Sequence, residues 1–316
     1  MNKHLRLTVL MTGAIVVAAA CSSSGASTAP SVAPSAAPSE AASVAPTDTP
    51  APTVDPASLL GQIIKTGTIR VATDPNYAPY SFLNLDTQTY EGFDTSTAEE
   101  TVKRLGEKLG QDIKLQWETP GWDLITAGSW GDRWDISIGS MSVTQGRAKV
   151  VDFTEPYYYD VGAVAVPAAS TVQSISELND KTFCVGASTT YEQWLAGTLE
   201  IVDPNMLPAP TTAPENITAL PTDNECYQAI QAGRSFDAIV ANSGALADAV
   251  KKGVPIRVLE GPPIFAVSVA FALDKSGPNT TALKLILDQI VTEMHADGTL
   301  SAFSTKWLEK DVTVAP

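Results

Sequence analysis

Residues 134–159 read WDISIGSMSVTQGRAKVVDFTEPYYY. The apolar run Ile136-Ser137-Ile138 has the pattern of a buried strand, and it ends in the turn Gly139-Ser140-Met141-Ser142. A helical start is expected at Thr144, with Arg147 in its first turn. This layout sets free backbone N–H groups, small hydroxyls and one guanidinium around a single point. Those are the parts that hold a carboxylate. Arginine offers two parallel donors that match two oxygens, and it keeps its charge. The competing reading is a strand–turn–helix with a surface arginine.

Working outward, strands are expected at residues 68–73, 113–117, 134–138, 163–166, 182–185, 217–220, 236–240, 256–259 and 267–273. Helices are expected at 94–109, 122–128, 190–199, 222–232, 243–252, 280–295 and 300–309. Two carry capping-box spacing, Ser96 with Glu99 and Thr222 with Glu225. Residues 203–216 are proline-rich and must loop over the surface. Repeated β–α alternation argues an α/β fold of doubly wound parallel sheets with helices on both faces. Ligands of such sheets sit beyond the carboxyl ends of strands. That rule gathers Asp74, Tyr77, Trp122, Gly139, Ser140, Ser142, Arg147, Ser188, Thr190 and Asn242 at one shared cleft.

The amino-terminal residues read as an export signal. Lys3 and Arg6 precede an apolar stretch, residues 7–20, that is shorter than the roughly 20 residues a membrane span needs. It ends in Ala18-Ala19-Ala20-Cys21, which resembles a bacterial lipobox with alanine in place of the usual large aliphatic residue. On that reading residues 1–20 are a signal peptide and Cys21 is lipidated; the competing reading is ordinary cleavage near the alanine run. Residues 21–57 are dominated by Ser, Ala, Pro, Thr and Val and lack aromatics. Such a segment cannot bury enough apolar surface to offset its ordering entropy, so it reads as a disordered tether with a reach of about 30–36 Å.

Cys184 and Cys226 are then the only other cysteines. In an exported protein an isolated pair reads as a disulfide, whose loop stabilises by up to about 4 kcal/mol; two buried thiols are the alternative. The formal charge of −15 argues against a nucleic-acid partner. No His/Cys cluster has metal-ligand spacing, and nothing in the chain calls for a cofactor.

Taken in order, TIRVATDPNYAPYSF, YEGFD, the 134–159 stretch, KTFCVGASTTYE, FDAIVANS and MHADGTLSAFSTKWL resemble the family 3 extracellular solute-binding proteins, the polar amino acid receptors of ABC importers. The resemblance covers nearly all of residues 60–310. It implies the two-lobed periplasmic-binding-protein type II fold, two doubly wound sheets joined by a two-strand hinge. Lobe 1 would be residues 58–160 plus 267–316 and lobe 2 residues 161–266, with crossings near 158–162 and 265–268. By position, the resemblance implies that Tyr77 and Trp122 sandwich the ligand's aliphatic stem and that Arg147 clamps its carboxylate. Ser140 and Ser142 would offer hydroxyl or N–H groups, with Thr190 reaching the same carboxylate from lobe 2. Asp74 would meet the ligand side chain and disfavour acidic ones; the alternative for Asp74 is a turn cap before Pro75. One departure stands out: the family usually has aspartate, which receives the α-ammonium, where this chain has Asn242. The ligand is then held more weakly, lacks a free α-ammonium, or is served by Glu91 or Asp94.

The expected function is a lipid-anchored, monomeric receptor on the extracytoplasmic face. It binds a small amino acid, amide or basic before acidic, and delivers it to a membrane permease. The alternatives are an enzyme on the same fold, such as a cyclohexadienyl dehydratase-like protein, or a sensor without a transporter. Catalysis is disfavoured because His4 lies in the signal and His295 ends a helix far from the inferred cleft.

Overall fold

The computed structural model describes residues 54–316. The signal peptide, Cys21 and nearly all of the tether lie outside the described residues. Among the described residues no helix is long and apolar enough to cross a membrane.

The first described element is α1 (Leu59–Thr66), capped by Ser58, whose hydroxyl accepts from the Gly61 N–H at 3.1 Å. Strand β1 (Thr68–Ala72) follows, then a small antiparallel sheet of β2 (Asn76–Tyr77), β3 (Ser81–Asn84) and β4 (Thr89–Glu91). Helix α2 (Phe93–Leu109) leads to β5 (Lys114–Glu118), α3 (Trp122–Thr126) and β6 (Ile136–Ser137). Strand β7 (Val151–Pro167) runs on to β8 (Phe183–Gly186), α4 (Thr190–Leu195), β9 (Ile217–Leu220) and α5 (Asp223–Gln231). The chain closes with β10 (Ala238–Asn242), α6 (Ser243–Lys251), β11 (Ile256–Val258), β12 (Phe265–Asp274), α7 (Thr281–Ala296) and α8 (Thr299–Leu308).

Nine strands share one hydrogen-bonded network in the order β5-β1-β6-β12-β7-β10-β8-β9, with β11 also on β7. The two expected sheets are its two ends. At one end β5, β1 and β6 are parallel, and at the other β10, β8 and β9 are parallel. Antiparallel β7 and β12 join them, from Phe265 opposite Gly162 to Asp274 opposite Val151. The two parallel sheets and the two-strand hinge expected from the sequence are thus both present, and the antiparallel crossing strands make the joined network mixed. The core divides accordingly. Two clusters draw on residues from 59–158 and 269–312, among them Leu60, Phe93, Leu105, Leu287 and Trp130. The other two draw on residues 164–267, among them Phe183, Trp194, Ile239 and Leu246.

Two local expectations change. Ser96 lies inside α2 rather than capping it, and its hydroxyl accepts from the Trp307 indole N–H at 2.9 Å. The helix starts instead after Gly92, whose φ is 128°, and a Cβ there would come within 2.2 Å of the Tyr80 carbonyl oxygen. The helix expected at Thr144 is a single 3₁₀ turn, Arg147–Lys149. Its tightness aims Arg147 inward, with its N–H held by the Thr144 hydroxyl at 3.2 Å.

Candidate functional site

The carboxyl ends of β1, β5, β6, β8 and β9 surround one cavity. Asp74 and Tyr77 follow β1, Trp122 starts α3 after β5, and Gly139, Ser140, Ser142 and Arg147 follow β6. From the other half come Gly186 at the end of β8, Thr189, Thr190 and Tyr191 just beyond it, and Pro221, Thr222 and Asp223 after β9. Asp160, on β7 where it crosses, completes the lining. Eight of the ten sequence-predicted residues therefore share one cavity; Ser188 and Asn242 stand just behind its surface.

Arg147 is 5% exposed. Its Nη1 donates to the Ser142 carbonyl at 3.1 Å and its Nη2 to the Ser188 carbonyl at 3.0 Å. The guanidinium carbon lies 5.3 Å from the centre of the Trp122 ring, whose Nε1 also donates to the Ser188 carbonyl at 3.3 Å. Among the described residues Arg147 forms no ion pair. Burial lowers its pKa to about 10, partly opposed by the fields of Tyr191 and Asp160. A desolvated cation held only by carbonyls and an indole face is a strong site for an anion. The contribution of Ser188 is thus its backbone oxygen, supplied across the cleft.

Ser140 and Ser188 both have left-handed backbone, with φ of 58° and 60°. L-residues seldom take that conformation, and strained residues cluster at binding sites. The Ser140 hydroxyl donates to Asp94 at 2.6 Å and accepts from Tyr158 at 2.8 Å. Asp94 also accepts from the Tyr157 hydroxyl at 2.7 Å, and burial lifts its pKa to about 6. Asp94 thus braces Ser140 from behind and does not line the cavity. Glu91 is engaged by Asn84 at 2.8 Å, on the small sheet, and does not line it either.

Asn242 caps α6: its Oδ1 accepts from Gly244 N–H at 2.6 Å, Ala245 N–H at 3.2 Å and the Tyr80 hydroxyl at 2.9 Å. Its Nδ2 donates to Asp160 at 2.5 Å. Asp160 also accepts from the Tyr191 hydroxyl at 2.7 Å and from Ser142 Oγ at 3.5 Å. It is 3% exposed, and burial raises its pKa against those hydrogen bonds and the Arg147 charge. The carboxylate missing at position 242 is therefore present one strand away. No motif marks Asp160; a lone acid inside the apolar run YYYDVG was the available signal.

Asp74 makes the turn cap and also faces the cavity. It accepts from the Asn76 N–H at 2.9 Å, a turn cap, and it lines the cavity, where burial raises its pKa. Asp223 is a further lining residue absent from the sequence expectation. Thr222 caps α5 by accepting from the Glu225 N–H at 3.3 Å, and Asp223 follows as the first helical residue. Its Oδ1 accepts from the Gly186 N–H at 3.0 Å, while its Oδ2 is buried with no hydrogen-bond partner among the described residues. A Cβ at Gly186 would lie 2.6 Å from that Oδ1, so only glycine admits the contact. Burial lifts Asp223 to about 7, with the charges of Asp74 and Asp160 adding to the rise. Behind this wall, Cys184 of β8 and Cys226 of α5 form the expected disulfide, their Cα atoms 5.8 Å apart.

The chain matches the family described as "Bacterial extracellular solute-binding proteins, family 3" over residues 69–310. It is 30% identical over 257 residues to the L-cystine-binding protein TcyJ of Escherichia coli (strain K12), covering 81% of this chain and 88% of that one. It is 27% identical over 252 residues to the histidine-binding periplasmic protein of Salmonella typhimurium (strain LT2), covering 77% and 88%. Among solved structures, the ancestral amino acid-binding protein AncCDT-1, a precursor of cyclohexadienyl dehydratase, superposes with a TM-score of 0.66. It is 28% identical, covering 79% of this chain and 100% of that chain.

Proposed function

The chain belongs to the bacterial extracellular solute-binding proteins of family 3, and on that premise we propose that it is the receptor of an ABC importer, capturing a small amino acid between two lobes. Lobe 1 comprises residues 58–160 plus 267–316 and lobe 2 residues 161–266. Arg147 grips the α-carboxylate, Tyr77 and Trp122 flank the aliphatic stem, and Thr190 approaches the carboxylate from lobe 2. Asp160, held by Asn242 and Tyr191, receives the α-ammonium. The observation that carries this reading is Arg147, a buried cation in the cleft that no carboxylate of the described residues neutralises. An incoming carboxylate gains a charge-assisted pair in a dry site, and the opposed lobe supplies contacts that exist only on closure. Relatives named for amino-acid binding support a receptor rather than a catalyst. Export by the signal and tethering through a lipid on Cys21 complete the proposal.

A thermal-shift screen of the intact chain against the common amino acids, followed by isothermal calorimetry, tests the reading. Stabilisation by at least one L-amino acid, lost with its carboxyl amide, is expected. Binding of no amino acid, or equal binding of the amide, overturns it.

A further inference from the structure

Among the described residues three carboxylates but only one cation line the cleft: Asp74, Asp160 and Asp223 against Arg147. An ordinary zwitterion engages two of these four groups, its carboxylate meeting Arg147 and its ammonium Asp160. Asp74 and Asp223 then remain, one from each half of the molecule. Asp223 spends one oxygen on the Gly186 N–H; the other is buried and unpartnered beside the cavity, in a residue only 6% exposed. Capping of α5 does not need it, because Thr222 performs that task. A buried, half-satisfied carboxylate is costly unless a donor or cation reaches it.

We infer that Asp223 and Asp74 form a subsite for a second cationic nitrogen, so that the ligand is a monocarboxylate bearing an α-ammonium and a cationic side chain. The inference rests on the receptor reading above and names the class of its ligand. With that ligand each charged group of the cleft has an opposite partner: carboxylate with Arg147, α-ammonium with Asp160, side-chain cation with the Asp74–Asp223 pair. A neutral side chain leaves the pair unanswered. A diamino dicarboxylate such as L-cystine sets its second carboxylate in a cleft where, among the described residues, the one lining cation is already engaged. Because the pair spans both halves, the second cation is gripped only when they meet, which ties selectivity to closure.

Calorimetry on the intact chain near neutral pH, with L-lysine, L-arginine, L-glutamine, L-norleucine and L-cystine as probes, tests this. L-Lysine or L-arginine should bind at least about 100-fold tighter than L-glutamine or L-norleucine. Asp223→Asn should cut the basic-to-glutamine affinity ratio by about tenfold or more, with a melting temperature at least equal to wild type as the folding control. L-Glutamine or L-norleucine binding as tightly as the basic ones overturns the subsite while leaving the receptor reading intact, and L-cystine doing so overturns the monocarboxylate assignment. An unchanged ratio in a folded Asp223→Asn likewise overturns the subsite. Should none of the five probes bind and the wider screen also fail, the receptor reading itself falls.

Discussion

Asn242 donates its amide Nδ2 to the Asp160 carboxylate across 2.5 Å, while its Oδ1 is filled by two helix N–H groups and the Tyr80 hydroxyl. The amide orientation follows from those partners, since only nitrogen can face the carboxylate. Asparagine at 242 is thus the complement of aspartate at 160, and the pair keeps one negative charge where two would repel.

Asn242→Asp should place two buried carboxyl groups in contact and cost roughly 2–4 kcal/mol of stability near neutral pH. The loss should shrink on acidification, because protonating one carboxyl removes the repulsion. Urea unfolding at two pH values measures both. A variant as stable as wild type near neutral pH would show that the two residues are not paired.

Asp160→Asn should weaken amino acid binding by about 2–4 kcal/mol, since the α-ammonium would enter a buried site without its counter-charge. Calorimetry reads the change directly. Affinity within threefold of wild type would remove Asp160 from the ammonium site.

Arg147→Ala should abolish measurable binding, and Arg147→Lys should restore only part of it, because an ammonium keeps the charge without the planar fork. A lysine variant that binds like wild type would count against bidentate recognition.

Asp223 titrates at about 7 in the folded chain against 3.8 for the ordinary side chain. The folded state therefore holds a proton between these values that the unfolded state has released. Its contribution to stability falls as pH rises from about 4 to 7 and stays lost above. Asp94, raised to about 6, acts in the same direction. Ligand-free Asp223→Asn should be more stable than wild type near pH 8, by up to about 4 kcal/mol, with the gap closing near pH 4. Parallel stability–pH curves for the two proteins would refute the shift.

Much of the architecture was legible because it is written in local pattern. Apolar runs mark β1, β8, β9 and β12, and glycines end α2 at Gly110 and α6 near Gly253. The small sheet of β2–β4 was not, because its short, polar, partly exposed strands carry no alternation. Nor was the full length of β7: Pro156 interrupts its sequence signal, and only pairing with β12, through two register shifts, makes it one strand. In the site, the residues after β1, β5 and β6 were readable from motif and strand end. Asp160 and Asp223 were not, for each is a single acid whose meaning depends on partners far along the chain. Ser188 acts through its carbonyl, and a main-chain oxygen has no letter in a sequence.

The bridge between Cys184 and Cys226 brackets the Gly186–Asp223 contact, lying two residues from one partner and three from the other. One wall of the binding cleft is in that sense riveted: strand β8, the loop leading to Thr190, and the start of α5 move as a single plate. On the reading of the chain as an exported receptor, molecules held back in a reducing cytoplasm would lack the rivet, and that wall would close on a ligand less firmly.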